Sequence, residues 1–488
     1  MNSGTFSFFG STKASHVFNV HSHFVSVLHI LSLGRLAKLD YTRHMFPTIA
    51  PLFSALFFQG CDAVQDLMRP KPNVVFIMVD TLRPDRLGIY GHDKDTSPSL
   101  DAFAANGMVF ERAYAHSGWT LPSTVSMMTG LYPHEHRVGR APDAPSEFGS
   151  LPEERVTMAE VFTSAGYRTM AVVNNTFLAP DFGLAQGFET FDYRGADNQD
   201  IRSAKESADV ALDWWSKTEG SKFLFWHVME PHMDLLPPKE TRGIFVKEPS
   251  VDVPFGFSHA AKITDAGSDR DVQKVSDVFS LYDEEILAVD QQLKRLVDGI
   301  GSENTIFVFT SDHGEEFWEH NDFEHGHHLK SVLTQIPLIF WGEGVSSGRE
   351  RALVSHVDMF RTVLELSRVP VPLESHGDML LSEPLSSDRM VLSENTLYGD
   401  PMLSVVSETH RLEINQESKM AALWTMDESG KEVEVLSEKL DQLAEPMFNY
   451  IRLVRGNVDT IQQVSGPSVP SKDAFQNLKK LGYIDSER

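Results

Sequence analysis

A helix-forming segment at residues 117–133 carries a threonine where a nucleophile could act. Pro122 suits the first turn of a helix and Gly130 suits its end, so Thr120 is expected at or next to the N-terminal cap. The free N–H groups and the positive dipole end of a helix bind sulfate or phosphate well at such a position. Beside a metal ion, the Thr120 hydroxyl could lose its proton and attack a bound anion. An ordinary capping role for Thr120 is the alternative.

Acidic and imidazole side chains follow predicted strands at two distant places in the sequence. Asp80 comes directly after residues 74–79, and Asp312 and His313 come soon after residues 305–309. Carboxylate oxygens combined with an imidazole nitrogen suit manganese, zinc or calcium better than magnesium. Each residue alone could be a turn or cap residue. Together they predict one shared divalent metal ion.

A histidine-rich segment at residues 320–328 supplies further imidazoles just before another predicted strand. His325 could protonate a leaving group or hold an anionic ester, and His327 could contact the substrate. His232 follows a different predicted strand and is a second candidate for the same catalytic work. Asn175, at the end of a further strand, could also contact the substrate. Each of these residues could instead be a loop or turn residue without a chemical role.

One edge of a β-sheet could bring these side chains close together. Short apolar runs alternate with helix-like segments from residue 73 onward, which is typical of a mostly parallel sheet covered on both faces. Ligands bind at the carboxyl ends of the strands in such sheets. We therefore expect an α/β fold with a large, mostly parallel sheet sandwiched by helices. The predicted strands are residues 74–79, 169–173, 223–228, 305–309 and 336–341, and the predicted helices are residues 99–106, 157–165, 204–215 and 282–300.

The last part of the chain no longer shows the pattern of alternating strands and helices. Residues 373–488 offer strand-like pieces at 402–414 and 420–426 and a closing helix. We predict a smaller α+β subdomain there, beside a catalytic domain at residues 73–372.

The lone cysteine, Cys61, lies just after an apolar run, and it rules out an internal disulfide. Residues 45–61 resemble a bacterial lipoprotein signal with Cys61 as the lipidated residue, whereas an inert cysteine in a buried or disordered N-terminal segment is the alternative. The first interpretation predicts a location in a bacterial cell envelope, lipid-anchored or periplasmic. Residues 1–44 could lie upstream of a true start at Met45, and residues 62–72 would form a linker.

Composition excludes one class of partner. The formal net charge of −26 argues against nucleic-acid binding, because affinity for a duplex depends on Lys and Arg. It also disfavours long polyanionic substrates, unless a local basic pocket overrides the global field, so a small substrate is expected.

In order and spacing, these segments resemble the sulfatase family of the alkaline-phosphatase superfamily over residues 73–366, and more weakly at residues 481–484. The family shows an acidic residue after the first strand, a nucleophile helix ending in Thr-Gly, an Asp-Pro-His segment, an Asp-His-Gly turn, and a glycine-containing loop before a Val-Pro strand. The matching residues are Asp80, 120–130, Glu230-Pro-His232, Asp312-His313-Gly314, His325-Gly326 and Ile336-Pro337.

The sequence departs from the family pattern at the nucleophile. Cys (or Ser)-x-Pro-x-Arg is replaced by Thr120-Leu-Pro122-Ser-Thr124, so formylglycine modification is not expected and the motif arginine is missing. The Asp80-Thr81 and Asp312-His313 pairs look like the manganese-using phosphonate monoester hydrolases. A threonine nucleophile looks like the lipoteichoic-acid synthases and nucleotide phosphodiesterases of the same superfamily. These departures put sulfate ester cleavage in doubt and favour phosphoryl chemistry.

The resemblance implies a metal-dependent hydrolase of sulfate or phosphate esters. Asp80, Asp312 and His313 would bind one divalent ion (manganese, calcium or zinc), with Thr120 as the remaining ligand and nucleophile. His232 and His325 would hold the non-bridging oxygens or protonate the leaving group. Two alternatives stay open: a transferase of phospho-alcohol groups between envelope components, which a lipid anchor would suit, and an inactive binding protein on the same scaffold. The retained metal ligands argue against the inactive protein.

Overall fold

The computed structural model describes residues 70–141, 144–194, 202–382, 384–426, 432–435 and 440–456. The expected leader with Cys61, the closing helix and the weaker match at residues 481–484 lie outside these ranges. Among the described helices, none is long and apolar enough to cross a membrane.

A nine-stranded sheet forms the centre of the molecule, and a separate five-stranded antiparallel sheet follows it in sequence. The strands are β1 Asn73–Val79, β2 Met108–Tyr114, β3 Arg140–Ala141, β4 Ala144–Phe148, β5 Arg168–Val173, β6 Thr190–Tyr193, β7 Lys222–Val228, β8 Thr305–Ser311, β9 Glu316–Phe317, β10 Phe323–Glu324, β11 Gln335–Gly342, β12 Gly348–Glu350, β13 Val354–Ser355, β14 Val391–Glu394, β15 Met402–Val406, β16 His410–Asn415, β17 Ala421–Met426 and β18 Glu432–Glu434. The order in the large sheet is β12-β2-β11-β8-β1-β7-β5-β6, with β13 paired to β2, and the small sheet runs β14 to β18 in order.

Helices cover both faces of the large sheet. One face of β1 (Val74, Phe76, Met78) packs into one apolar core and the other face (Val75, Ile77, Val79) into a second. This confirms the expected sheet buried on both sides. The helices are α1 Pro98–Ala104, α2 Thr120–Thr129, α3 Pro133–His136, α4 Met158–Ser164, α5 Ala204–Lys217, α6 Phe257–Thr264, α7 Val272–Ile300, α8 Ser331–Thr334, α9 His356–Leu366 and α10 Leu440–Arg455.

The strand at residues 336–341 lies in the predicted sheet but runs against its neighbours. The strand β11 is antiparallel to both β8 and β2, and the other pairs of the large sheet are parallel. Between β8 and β11 the chain forms only loops, the short pair β9–β10 and the four-residue helix α8. For β11 to run parallel to β8, the chain would first have to cross to the opposite end of the sheet, and these elements do not provide such a crossover. The strand β11 is therefore antiparallel to its neighbours.

Two other predicted elements differ in extent. The helix predicted at 282–300 starts earlier, at Val272, because the Asp271 side chain caps it by accepting from the N–H of Gln273. The strand predicted at 402–414 is two strands, β15 and β16, which pair as an antiparallel hairpin.

The helix α2 is enclosed on all sides, since all ten of its residues are buried. Trp119 is its N-cap, so Thr120 is the first helical residue, next to the cap as predicted. Gly130 ends the helix in the left-handed conformation, with φ 69°, and a Cβ there would lie 2.7 Å from Phe360 Cδ1 and 2.9 Å from Ser375 Cβ.

Gly130→Ala is therefore expected to lower the free energy of unfolding by about 2–4 kcal/mol, from backbone strain plus overpacking. Gly166→Ala is the matched control, because Gly166 also has a positive φ but a Cβ added there would have no atom of the described residues within 4 Å. Urea denaturation of both variants measures the difference. An equal loss of unfolding free energy in the two variants would show that contact between the new Cβ and Phe360 does not destabilise the protein.

Candidate active site

Four neighbouring strand ends supply the polar side chains of the site. The strands β8, β1, β7 and β5 are consecutive in the sheet. Their carboxyl ends lead into Asp312 and His313, Asp80, His232 and Asn175. The strand order therefore brings together residues that lie far apart in sequence, at the edge where parallel sheets bind ligands.

Two buried carboxylates face each other across β1 and β8. Asp80 and Asp312 are fully buried, and Asp80 Oδ1 and Asp312 Oδ2 have no hydrogen-bond partner among the residues that the structure describes. Asp312 Oδ1, in contrast, accepts from the N–H groups of Thr81 at 3.2 Å and His313 at 2.9 Å. Burial and the Asp80 charge raise the pKa of Asp312 to about 7. Unpartnered buried carboxylate oxygens are costly unless a cation lies between them, so this pair fits a metal ion.

His313 presents a lone pair to the same point. Its Nδ1 donates to the Gly314 carbonyl at 2.8 Å, so Nε2 carries no proton in the neutral ring. Nε2 lies 3.4 Å from Asp312 Oδ2 and 3.8 Å from Asp80 Oδ1. Burial lowers the pKa of His313 to about 4, which keeps the ring neutral. The three ligand atoms lie within 4.8 Å of one another, so the predicted set fits one divalent ion.

The Thr120 hydroxyl lies beside this set. Thr120 Oγ1 is 3.3 Å from His313 Nε2 and 3.4 Å from Asn175 Nδ2, and the side chain is almost completely buried. Thr124, where the family pattern has arginine, donates instead to Met78 Sδ at 3.7 Å in the core. Of the two threonines, Thr120 is therefore the one placed for chemistry.

Asn175, predicted to contact substrate, lies between Thr120 and Asp80. The Phe177 N–H donates to Asn175 Oδ1 at 2.9 Å, which fixes the orientation of the amide. Its Nδ2 then donates to Asp80 Oδ2 at 2.7 Å and faces Thr120 Oγ1. The single side-chain amide of Asn175 thus positions both Thr120 and Asp80.

His232 and His325 form an imidazole pair next to the three ligands. Their ring centroids are 5.1 Å apart, and the His325 ring is 4.5 Å from that of His313. His325 Nδ1 contacts Glu315 Oε1 at 3.0 Å. Burial acts to lower the pKa of His232, but the carboxylates of Asp80 and Glu315 raise it above its ordinary value. The pair lies where a negatively charged ester would need partners.

The structure places His327 elsewhere. Its Nε2 is 3.0 Å from Glu316 Oε2, in a cluster with His328 rather than with Asp80. The histidine-rich segment is therefore divided between two groups.

His227 is a site residue that the sequence did not reveal. The Asn174 N–H donates to His227 Nδ1 at 3.2 Å, so the proton of the ring is on Nε2, which donates to Asp80 Oδ2 at 3.2 Å. Burial alone would raise the pKa of Asp80, but this hydrogen bond and the nearby imidazoles lower it. A lone histidine inside an otherwise apolar strand is the signal that points to it.

We expect His227→Phe to weaken binding of the divalent ion by about 10–100-fold, because the orientation of Asp80 is no longer fixed. His227→Gln keeps an N–H donor and should recover part of the affinity. Calorimetric titration of the chelated protein with manganese measures both. If the phenylalanine variant binds as tightly as the unaltered protein, His227 has no positioning role.

Comparison with known proteins gives matches of several kinds. A family model described as Sulfatase matches residues 72–369. The arylsulfatase of Clostridium perfringens is 24% identical over 379 residues, which are 63% of this chain and 77% of that protein. A protein solved in complex with its substrate D-glucosamine-2-N,6-O-disulfate has a TM-score of 0.65 at 17% identity, covering 80% of this chain and 99% of that one. The phosphonate monoester hydrolase of Agrobacterium radiobacter has a TM-score of 0.64 at 17% identity, covering 82% and 100%. At these identities the two structures show a shared fold.

Proposed function

The chain belongs to the sulfatase family, and from this membership we propose that it hydrolyses a sulfate or phosphate ester with a divalent metal ion and Thr120 as nucleophile. The arylsulfatase relative supports sulfuric ester hydrolysis. One observation carries the threonine assignment: the Thr120 hydroxyl lies 3.3 Å from the metal-facing nitrogen of His313. No cysteine can replace it, since Cys61 is the only cysteine of the chain.

The first step forms a bond between Thr120 Oγ1 and the sulfur or phosphorus of the ester. Asp80, Asp312 and His313 would hold a divalent ion, whose positive charge would favour release of the Thr120 hydroxyl proton to solvent and binding of the anionic ester. Asn175 holds Thr120 and Asp80 in one arrangement through its amide. The bond to the leaving alcohol breaks as the bond to Thr120 forms.

His232 and His325 serve the leaving group. Burial lowers the pKa of His325 to about 4, so its ring is neutral. The alcohol leaves as an alkoxide that needs a proton, and His232, whose pKa the carboxylates of Asp80 and Glu315 raise, can give it as an imidazolium. The same positive charge attracts the non-bridging oxygens of the ester. The His232 and His325 rings, whose centroids are 5.1 Å apart, could contact the same bound ester from two sides.

The second step releases Thr120. Water attacks the sulfur or phosphorus of the threonine ester, the bond to Oγ1 breaks, a proton from the water restores the Thr120 hydroxyl, and inorganic sulfate or phosphate leaves. A threonine ester has no hydroxyl on the same carbon, so it cannot collapse to an aldehyde, and direct attack is the remaining route. Such attack is well precedented chemically for phosphate, which supports including phosphate esters beside sulfate esters.

Turnover of four ester classes tests the proposal. Aryl sulfate, aryl phosphate, phosphodiester and phosphonate monoester substrates would be offered to chelated protein supplied with manganese, zinc or calcium. We expect one class to be cleaved only when metal is returned. Absence of cleavage with every substrate and metal would contradict the proposed hydrolase.

A further inference from the structure

A second cluster of metal-binding side chains lies outside the active site. The hairpin of β9 and β10 places Glu316 against two imidazoles: Glu316 Oε2 is 3.0 Å from His327 Nε2 and 2.6 Å from His328 Nε2. The three ligand atoms fall within 4.8 Å of one another. Glu315, the preceding residue, contacts His325 instead. Consecutive glutamates thus belong to two different clusters.

The carboxylate of Glu316 is held in place by the backbone of its own hairpin. Glu316 Oε1 accepts from the N–H groups of His320 at 2.7 Å and Asp322 at 3.0 Å. These two bonds leave Oε2 to face the imidazoles. Carboxylate ligands of metal ions are commonly supported by hydrogen bonds of this kind.

The two imidazoles are also oriented by the backbone. His327 has a hydrogen bond to the backbone of His325, and its Nε2 faces Glu316. The Lys330 N–H approaches His328 Nδ1 at 3.3 Å, a long contact that favours the proton on Nε2. This contact opposes ligation, because His328 must expose an Nε2 lone pair to bind a metal ion.

We propose that Glu316, His327 and His328 bind a second divalent cation, of the zinc class. Two imidazole nitrogens and one carboxylate oxygen are a common zinc ligand set that leaves a fourth position open. Asp322 Oδ2, 3.9 Å from His327 Nε2, can fill that position or leave it to water. The His327 and His328 side chains are 15% and 13% exposed, which gives an ion access from solvent.

Binding exchanges protons for the cation. Each ring gives up the hydrogen bond to Glu316 and presents its Nε2 lone pair. His328 keeps one proton by moving it to Nδ1, with loss of the Lys330 contact, and an imidazolium form of His327 releases one proton to solvent. The ion would then join the hairpin to the segment carrying His325.

Zinc stoichiometry of the full chain tests the inference. The purified, chelated protein would be titrated with zinc by calorimetry and its bound zinc measured after dialysis. We expect two tightly bound ions per chain. The double variant His327→Gln, His328→Gln should lose one ion and keep the other, and Asp312→Asn should lose the other. His410→Gln, outside both clusters, should keep two. Circular dichroism checks that each variant is folded.

An anomalous-scattering map from zinc-soaked crystals of the unaltered protein locates the ions without any substitution. A peak between Glu316 and the two imidazoles is the expected result. No peak there, or equal stoichiometry in the unaltered protein and the double variant, would overturn the second site. The outcome is independent of the hydrolase assignment, because neither readout requires turnover.

Discussion

Thr120→Val abolishes turnover, with kcat lowered by at least about 10³-fold, if the hydroxyl is the nucleophile. Valine has nearly the shape of threonine and keeps the buried first turn of α2 packed. The variant therefore removes an oxygen atom and little else from the site. Metal affinity should fall much less than turnover, since Asp80, Asp312 and His313 remain.

The matched control for this variant is Thr124→Val, four residues further along the same buried helix. The Thr124 hydroxyl donates to a methionine sulfur in the core, so turnover of the Thr124→Val variant should stay near that of the unaltered protein. Thr120→Ser keeps a hydroxyl and should retain measurable activity. Steady-state kinetics on the ester class that the protein cleaves compares the three. Equal activity of Thr120→Val and Thr124→Val would exclude the threonine mechanism.

Asp312→Asn is expected to separate activity from stability. The amide can still accept at Oδ1 from the N–H groups of Thr81 and His313, but it removes one of the two negative charges that would hold the proposed cation. We expect loss of tight metal binding and a fall in kcat of about 10³-fold, in line with the several kcal/mol that a metal ion supplies to a transition state.

The same substitution should stabilise the metal-free protein. Burial and Asp80 oppose the charge of Asp312, as its raised pKa shows, so a neutral amide relieves this cost by about 1–3 kcal/mol. Thermal unfolding with and without chelator measures both effects. The unaltered protein should be destabilised by chelation, whereas the variant should be insensitive to it and more stable than the chelated unaltered protein. A variant that still responds to the chelator would show that Asp312 is not a ligand.

The residues of the candidate site that sequence could predict are those that follow strands or begin a helix. Asp80, Asp312 and His313 come after apolar runs, and Thr120 precedes a proline that marks a first helical turn. Such local signals depend on a few neighbouring residues, and the fold class follows from the same apolar runs. The structure brings all four residues together.

The remaining features depend on contacts between distant parts of the chain. His227 lies inside a strand, and its role is visible only once β7 is placed beside β1. The antiparallel direction of β11 results from its connection to β8, which starts and ends at the same edge of the sheet. Proximity in sequence groups His327 with His325, yet the β9–β10 hairpin gives His327 a different partner, Glu316. Contacts of this kind between distant residues are difficult to predict from a single sequence.

The register of the central strands has a consequence for how the protein tolerates mutation. Val79 pairs with Ser311 in a parallel ladder, so Asp80 and its counterpart Asp312 are the next residues on adjacent strands. Their separation follows from the spacing of backbone hydrogen bonds, about 4.8 Å between strands, and not from the size of the side chains packed above and below. Substitutions in either apolar core should therefore reduce folding yield long before they alter ligand spacing. Variants selected for solubility could change much of the interior and still keep the same metal chemistry.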